Sequence, residues 1–193
     1  MERKQILEIL SSRVSERRLR HCLGVETIAL QLADRFGAPP ELVPAAALFH
    51  DLCREYTVDS LLQLADKFDI VIDDIERLEP MLLHGAVAAA LLQREWGWDE
   101  PEVLEAITYH ITGAAGIAPL ARLIFVADLI EPNRTIAAAR ELRRRACEIT
   151  PDQLVLLTYN RIINYLVTAG YTIHPRTIAG RNELIKKGVK VET

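Results

Sequence analysis

The chain has 193 residues, 50% of them hydrophobic and 26% charged, which suits one globular domain able to bury its own core. A formal charge of -4 excludes nucleic-acid binding through the overall field, and no segment approaches the roughly 20 apolar residues of a membrane span. Three cysteines, odd in number and outside any CxxC pair, exclude a disulfide scaffold, and an opening segment broken up by charge lacks the apolar core of a secretory leader, so the expected location is the cytoplasm.

Taken in chain order, apolar residues recur at spacings of three and four over 2–11, 16–36, 41–52, 57–67, 80–96, 100–110, 118–130, 136–148, 151–169 and 176–187, with almost no period-two alternation. Gly37-Ala-Pro-Pro40 and Gly97-Trp-Asp-Glu-Pro101 each stop one helix and start the next, and Thr150-Pro151 reads as a cap followed by proline in a first turn. The expectation is an all-α, single-domain bundle over 1–193. Its core would span about 17–134, with C-terminal helices over about 136–187 packed on it.

The histidines carry the functional signal. His21 lies on the stripe of Val25, Ile28 and Leu32; His84 on that of Val87, Ala88 and Leu91; His110 follows Val103, Ala106 and Ile107; and His50 shares a face with Val43, Ala46 and Ala47. Four of the five histidines therefore point inward. Asp51 directly follows His50, and Asp128 shares a face with Leu120, Ala121 and Ile124. Buried carboxylates require a compensating cation or several donors. His21, His50, Asp51, His84, His110 and Asp128 are too many ligands for one tetrahedral or open catalytic ion, so they point to two adjacent metals, with Asp51 free to bridge. Ligands of nitrogen and oxygen without thiolate suit iron, manganese, cobalt, nickel or zinc, divalent or trivalent.

These residues and their surroundings resemble a known family. His21, then His50-Asp51, then Asp128 is similar to the pattern of the HD-domain phosphohydrolase superfamily. The stretches Arg17-Arg-Leu-Arg-His21, Leu48-Phe-His-Asp-Leu-Cys-Arg54, Glu79-Pro-Met-Leu-Leu-His-Gly85, Tyr109-His-Ile-Thr-Gly113, Ala127-Asp-Leu-Ile-Glu-Pro-Asn-Arg134 and His174-Pro-Arg-Thr-Ile-Ala-Gly-Arg-Asn182 resemble its YqeK-type branch over most of the chain. The resemblance implies a single HD domain in a bacterial, diiron hydrolase of phosphoanhydride bonds, a symmetrical bis(5'-nucleosyl)-tetraphosphatase that splits diadenosine tetraphosphate into two ADP with a metal-activated hydroxide. It also implies that His21, His50, Asp51 and Asp128 hold one metal, and that His84 and His110 complete a second across Asp51. Family members usually carry lysine at the position of Arg54 and often a small residue at Cys53. Arg54 keeps the charge but replaces a point donor with a planar fork.

A polyanionic substrate on a net-negative chain needs local cations. Arg54 and Arg134, close behind the two aspartate motifs, are expected to act with Asp51 in catalysis and to bind substrate. Arg17 and Arg20 lie near His21 and are further substrate contacts, as are Thr112 and Gly113, where glycine permits a turn close to phosphate. Arg143-Arg144-Arg145 reads as a solvated face, and His174 stays outside the metal shell. Tyr109, Phe125 and Trp96 serve equally as base-stacking or core residues. The expected partner is a small nucleotide, with no nucleic acid or membrane; a homodimer is compatible. Competing readings are another HD-type nucleotide phosphohydrolase, a diiron oxygenase, and a nucleotide-binding regulator whose metals only staple the helices.

Overall fold

A computed structural model describes residues 2–191. In these residues the backbone forms eleven α-helices, one short 3₁₀ turn and no strand. In order they are α1 (Arg3–Ser11), α2 (Glu16–Phe36), α3 (Val43–Phe49), α4 (Val58–Lys67), α5 (Asp74–Leu78), the 3₁₀ turn Pro80–Leu83, α6 (His84–Trp96), α7 (Pro101–Tyr109), α8 (Pro119–Ile130), α9 (Ala137–Arg145), α10 (Pro151–Ala169) and α11 (Pro175–Lys186).

The local chemistry of these helices follows the sequence closely. Ser15 caps α2 by accepting the Arg18 amide, and Thr150 caps α10 with Gln153 bonding back, with Pro151 in the first turn. α8 is the interior element: Leu120, Ala121, Leu123, Ile124, Phe125, Val126, Ala127 and Ile130 are all buried, so it is apolar nearly all round. It packs against α2 and α7, α2 packs against α3, and α6 packs against α7. One continuous apolar core runs from Ile6 in α1 to Leu184 in α11, so the C-terminal helices share it.

Two expectations need correction. The helix over 41–52 is regular only for Val43–Phe49, and beyond it the chain tightens into successive turns, with Leu52 bonding to Phe49, Arg54 to Asp51 and Tyr56 to Cys53. His50 and Asp51 therefore sit at and just past a helix end, where two adjacent side chains can face one centre. The short helix α5 lies in a stretch read as irregular. It is started by a capping box, in which Asp73 accepts the Ile75 and Glu76 amides and Glu76 bonds back, and it is too short to show an apolar period.

Two glycines set the spacing of the helices around the centre. A Cβ on Gly24 would stand 2.4 Å from Glu131 Oε2, which lets α2 approach the end of α8 beside His21. A Cβ on Gly85 would stand 2.6 Å from the Ile107 carbonyl oxygen and 3.3 Å from His110 Nδ1. The first turn of α6 can therefore press on the last turn of α7, bringing His84 next to His110.

Candidate metal centre

His21 projects from α2, His50 and Asp51 follow α3, His84 opens α6, His110 closes α7 and Asp128 lies in the last turn of α8. All six converge. Asp51 is central: its Oδ2 lies 3.4 Å from both His21 Nε2 and His50 Nε2, while its Oδ1 lies 3.1 Å from His84 Nε2 and 3.6 Å from His110 Nε2. Asp128 Oδ1 is 3.1 Å from His21 Nε2. The ligand atoms form two groups, His21 with His50 and Asp51, and Asp51 with His84 and His110. Within each group all lie within 4.8 Å of one another.

The tautomers decide what this cluster can hold. The Nδ1 atoms of His50, His84 and His110 stand 2.7, 2.6 and 2.7 Å from the carbonyl oxygens of Ala47, Met81 and Ile107. A carbonyl only accepts, so each Nδ1 keeps its proton, and a neutral ring then presents a bare lone pair at Nε2. His21 Nδ1 likewise faces Glu131 Oε1 at 3.3 Å. The Nε2 atoms of His21 and His50 are 3.3 Å apart, and those of His84 and His110 are 3.1 Å apart. Lone pairs facing each other at such distances, beside a buried carboxylate, repel unless a cation lies among them. This donor set fits metal ions, with the outward ring nitrogens fixed by backbone and carboxylate partners as metal-bound histidines require.

The charges agree. Burial lowers the His84 pKa, and Asp51 only partly offsets that, which favours a neutral ring. Burial also works against a charged His21, but Asp128 and Asp51 outweigh it and raise its pKa. For Asp51, burial pushes up, yet the surrounding imidazoles hold the carboxyl well below the usual range. Asp128 follows the same balance, with His21 and Arg134 overcoming its burial.

Around the cluster lies a cleft of about 710 Å³ whose walls include Arg17, Arg18, Arg20, Arg54 and Arg134. Arg134 donates to Asp128 Oδ1 at 2.7 Å and to the Asp128 carbonyl at 2.8 Å. Among the described residues, Arg17, Arg20 and Arg54 have no carboxylate partner, which leaves three cations facing the cleft. Thr112 is buried and bonds to the Gly113 carbonyl, and it lines a second, more apolar pocket that opens from the same cleft. Gly113 lines neither space. Its left-handed backbone at φ 58° and the Tyr159 hydroxyl, 2.1 Å from where a Cβ would stand, explain it as a packing position. Phe125 lines the second pocket, whereas Trp96 packs on Phe49 with ring centroids 6.1 Å apart, away from the cluster.

Three residues escape a reading from spacing alone. Arg18 bonds Asp51 Oδ2, and its buried Nε has no partner, leaving capacity for one more acceptor. The signal was present, since Arg18 precedes His21 by three residues and so shares its side of α2. Glu131, read only as part of a helix break, is buried against His21 and accepts the Asn133 amide at 2.6 Å. Arg143, read as solvated, donates to the carbonyls of Ile130, Glu131 and Arg134, closing the end of α8 and the turn that carries Arg134.

Comparison with known proteins agrees with the geometry. The HD domain matches residues 18–133. The symmetrical bis(5'-nucleosyl)-tetraphosphatase of Bacillus subtilis (strain 168) is 31% identical over 96% of this chain and 98% of its own length. The protein of the same name from Staphylococcus aureus is 30% identical over 88% of each chain. A crystal structure from Clostridium acetobutylicum, described as an HD superfamily hydrolase involved in NAD metabolism, superposes with a TM-score of 0.90 at 29% identity, covering 97% of this chain and 98% of that one. With ligand-type side chains converging where that domain places its namesake pair, the chain belongs to the HD-domain family, in the branch of the symmetrical bis(5'-nucleosyl)-tetraphosphatases.

Proposed function

We propose that the chain hydrolyses diadenosine tetraphosphate and related dinucleoside tetraphosphates symmetrically, giving two nucleoside diphosphates, with two metal ions held by His21, His50, Asp51 and Asp128 and by Asp51, His84 and His110. The observation that carries this reading is the division of Asp51, whose two oxygens face two separate sets of imidazole nitrogens on the floor of an arginine-walled cleft. Two bound transition metals supply Lewis acidity and a nucleophilic water at neutral pH. Iron follows from the family resemblance, and manganese, cobalt, nickel and zinc suit the same donors.

The protein's own part is to hold and neutralise the polyphosphate. Arg17, Arg20 and Arg54 offer unpaired guanidinium groups to the phosphates, and Arg54 and Arg134, both in the walls of the cleft, take up charge as the central bridge breaks. Water adds to a phosphorus beside the central bridging oxygen, that P–O bond breaks, and the second nucleoside diphosphate departs as a phosphate anion. Such a leaving group needs little protonation. Glu131 fixes the tautomer of His21, and Arg143 fixes the backbone of Arg134. The free thiols Cys22, Cys53 and Cys147 suit action in the cytoplasm on a small nucleotide.

Anaerobic purification, elemental analysis and a product assay with and without chelator test the proposal. About two metals per chain and ADP as the sole nucleotide product are expected. Hydrolysis in oxygen-18 water should place one label in one of the two ADP molecules. AMP with ATP as products, or turnover unaffected by chelation, would overturn it.

A further inference from the structure

The cleft has two dissimilar ends. Toward α10 and α11 it opens into a pocket of about 390 Å³, within the roughly 300–1,000 Å³ range of small-molecule sites. That pocket shares His110, Asp128 and Arg134 with the metal centre and is walled by Phe125, Leu129 and Ile162. At its mouth stand Tyr165 and Tyr171, exposed, with ring centroids 6.1 Å apart. A purine attached to phosphates on the cluster would find apolar walls and aromatic faces there, because the pocket is continuous with the site that holds its phosphates. The opposite end is different in kind. Beyond the metal-centre residues its walls are polar, Arg17, Arg18, Arg20, Arg54, Glu131 and Asn133, and among the described residues the only apolar ones lining the cleft, Ile111, Tyr165 and Leu166, are shared with the apolar pocket. Among the described residues no separate apolar wall serves a second base.

We infer that only one nucleoside of the substrate is recognised through its base, while the other half is held through its phosphates alone, so that a nucleoside 5'-tetraphosphate is also a substrate. This inference rests on the hydrolytic reading above. In the reaction, water adds to a phosphorus flanking the oxygen between the second and third phosphates, that P–O bond breaks, and adenosine 5'-tetraphosphate plus water gives ADP plus pyrophosphate. No other reactant is required. The arginine end binds pyrophosphate as it binds the phosphates of the second nucleotide, by charge-assisted hydrogen bonds indifferent to what lies beyond them.

The test compares adenosine 5'-tetraphosphate, diadenosine tetraphosphate and inorganic tetraphosphate as substrates of the metal-loaded chain, with products separated by ion exchange. The mononucleotide should be cleaved with kcat/KM within about tenfold of the dinucleotide, giving equal ADP and pyrophosphate, whereas inorganic tetraphosphate should be at least about a hundredfold poorer. Tyr171→Ala should raise KM for both nucleotides by the same factor, about tenfold, leaving their ratio unchanged. Independently of turnover, equilibrium dialysis should show one tight ADP site per chain, any second ADP binding more weakly and being displaced by pyrophosphate. Cleavage of the dinucleotide with the mononucleotide more than about a thousandfold poorer would overturn the inference and leave the proposed function standing, as would two equivalent ADP sites. If neither nucleotide is cleaved, both fall together.

Discussion

Two clusters in this fold combine histidine with carboxylates, and they direct their imidazole protons in opposite ways. At the end of the bundle formed by α5 and α11, His174 Nε2 meets Asp73 Oδ2 at 2.8 Å, and Arg176 reaches Glu76 Oε1 at 2.8 Å and Asp73 Oδ2 at 3.5 Å. His174 Nδ1 accepts the Arg176 amide, so the ring caps α11 and its Nε2 is the protonated nitrogen, donating to Asp73. Every acceptor there has a donor from the protein. At the centre, the imidazoles spend their protons on carbonyls behind them and present lone pairs to one another. Arg18 and Arg134 pair with the central carboxylates, but the inward-facing imidazole lone pairs have only one another and Asp51, which is the place a metal ion would take. Residue type alone does not distinguish a metal centre from a structural ion-pair network; the direction of each imidazole proton does.

The sharpest way to break this contrast is Asp51→Ala. Removing the carboxylate between both sets of imidazoles should lower turnover by about a thousandfold or more and deplete bound metal, read by product assay and elemental analysis. Normal metal content in that variant would mean the central cluster is only a polar core. Arg176→Ala is the matched change at the periphery. It should leave metal content and turnover intact while costing about 1–2 kcal/mol of stability, a discounted figure because Arg176 is partly exposed, measured by denaturant unfolding. Chelation should reproduce the opposite pattern, lowering the melting temperature of the parent chain and of Arg176→Ala alike but leaving that of Asp51→Ala nearly unmoved.

A smaller effect concerns acid. Burial pushes the Asp73 carboxyl up, but the Glu76 amide, His174 and Arg176 outweigh it, so its pKa in the folded chain lies below that in the unfolded chain. The stability this contributes is complete above the unfolded pKa of about 3.9 and is lost as the pH falls through the lower folded value. Asp73→Asn should therefore lower stability at neutral pH and flatten the acid side of the stability profile, converging on the parent in acid, measured by urea midpoints. The smallest effect expected is at the thiols. Cys22 and Cys53 adjoin proposed ligands but are buried, and burial pushes the Cys53 thiol up to about 12, so iodoacetamide at neutral pH should label only exposed Cys147 and leave turnover unchanged.

Much of this arrangement was legible in the amino-acid order because His21, His84 and Asp128 occupy positions that helical periodicity assigns to the interior, where an unpartnered polar group is costly. Helices α2 and α10 end where their serine, threonine and glycine caps indicate. What escaped was set by contacts between distant segments. Arg17 and Arg18 precede His21 by four and three residues and both lie about one helical turn from it, yet only Arg18 bonds Asp51, because the packing of α2 on α3 turns that side of the helix toward the turn after Phe49. Glu131 and Arg143 lie past helix ends or on a run of arginines, and only the fold shows that one backs His21 and the other gathers three carbonyls. The proline and acidic residues around 73–80 signal a break, and the turn of helix inside it is too short for periodicity to show.

The contact at Gly85 has a consequence for anyone wishing to retune this protein. Because the Ile107 carbonyl oxygen stands where a β-carbon would go, adding a single methyl group at that glycine must wedge the two helix ends apart and carry one imidazole of the pair away from the other. The bite of the proposed metal site is thus gauged by an atom the chain omits rather than by any side chain it contributes, and Gly85→Ala is a handle for altering which ion it would prefer without touching a donor.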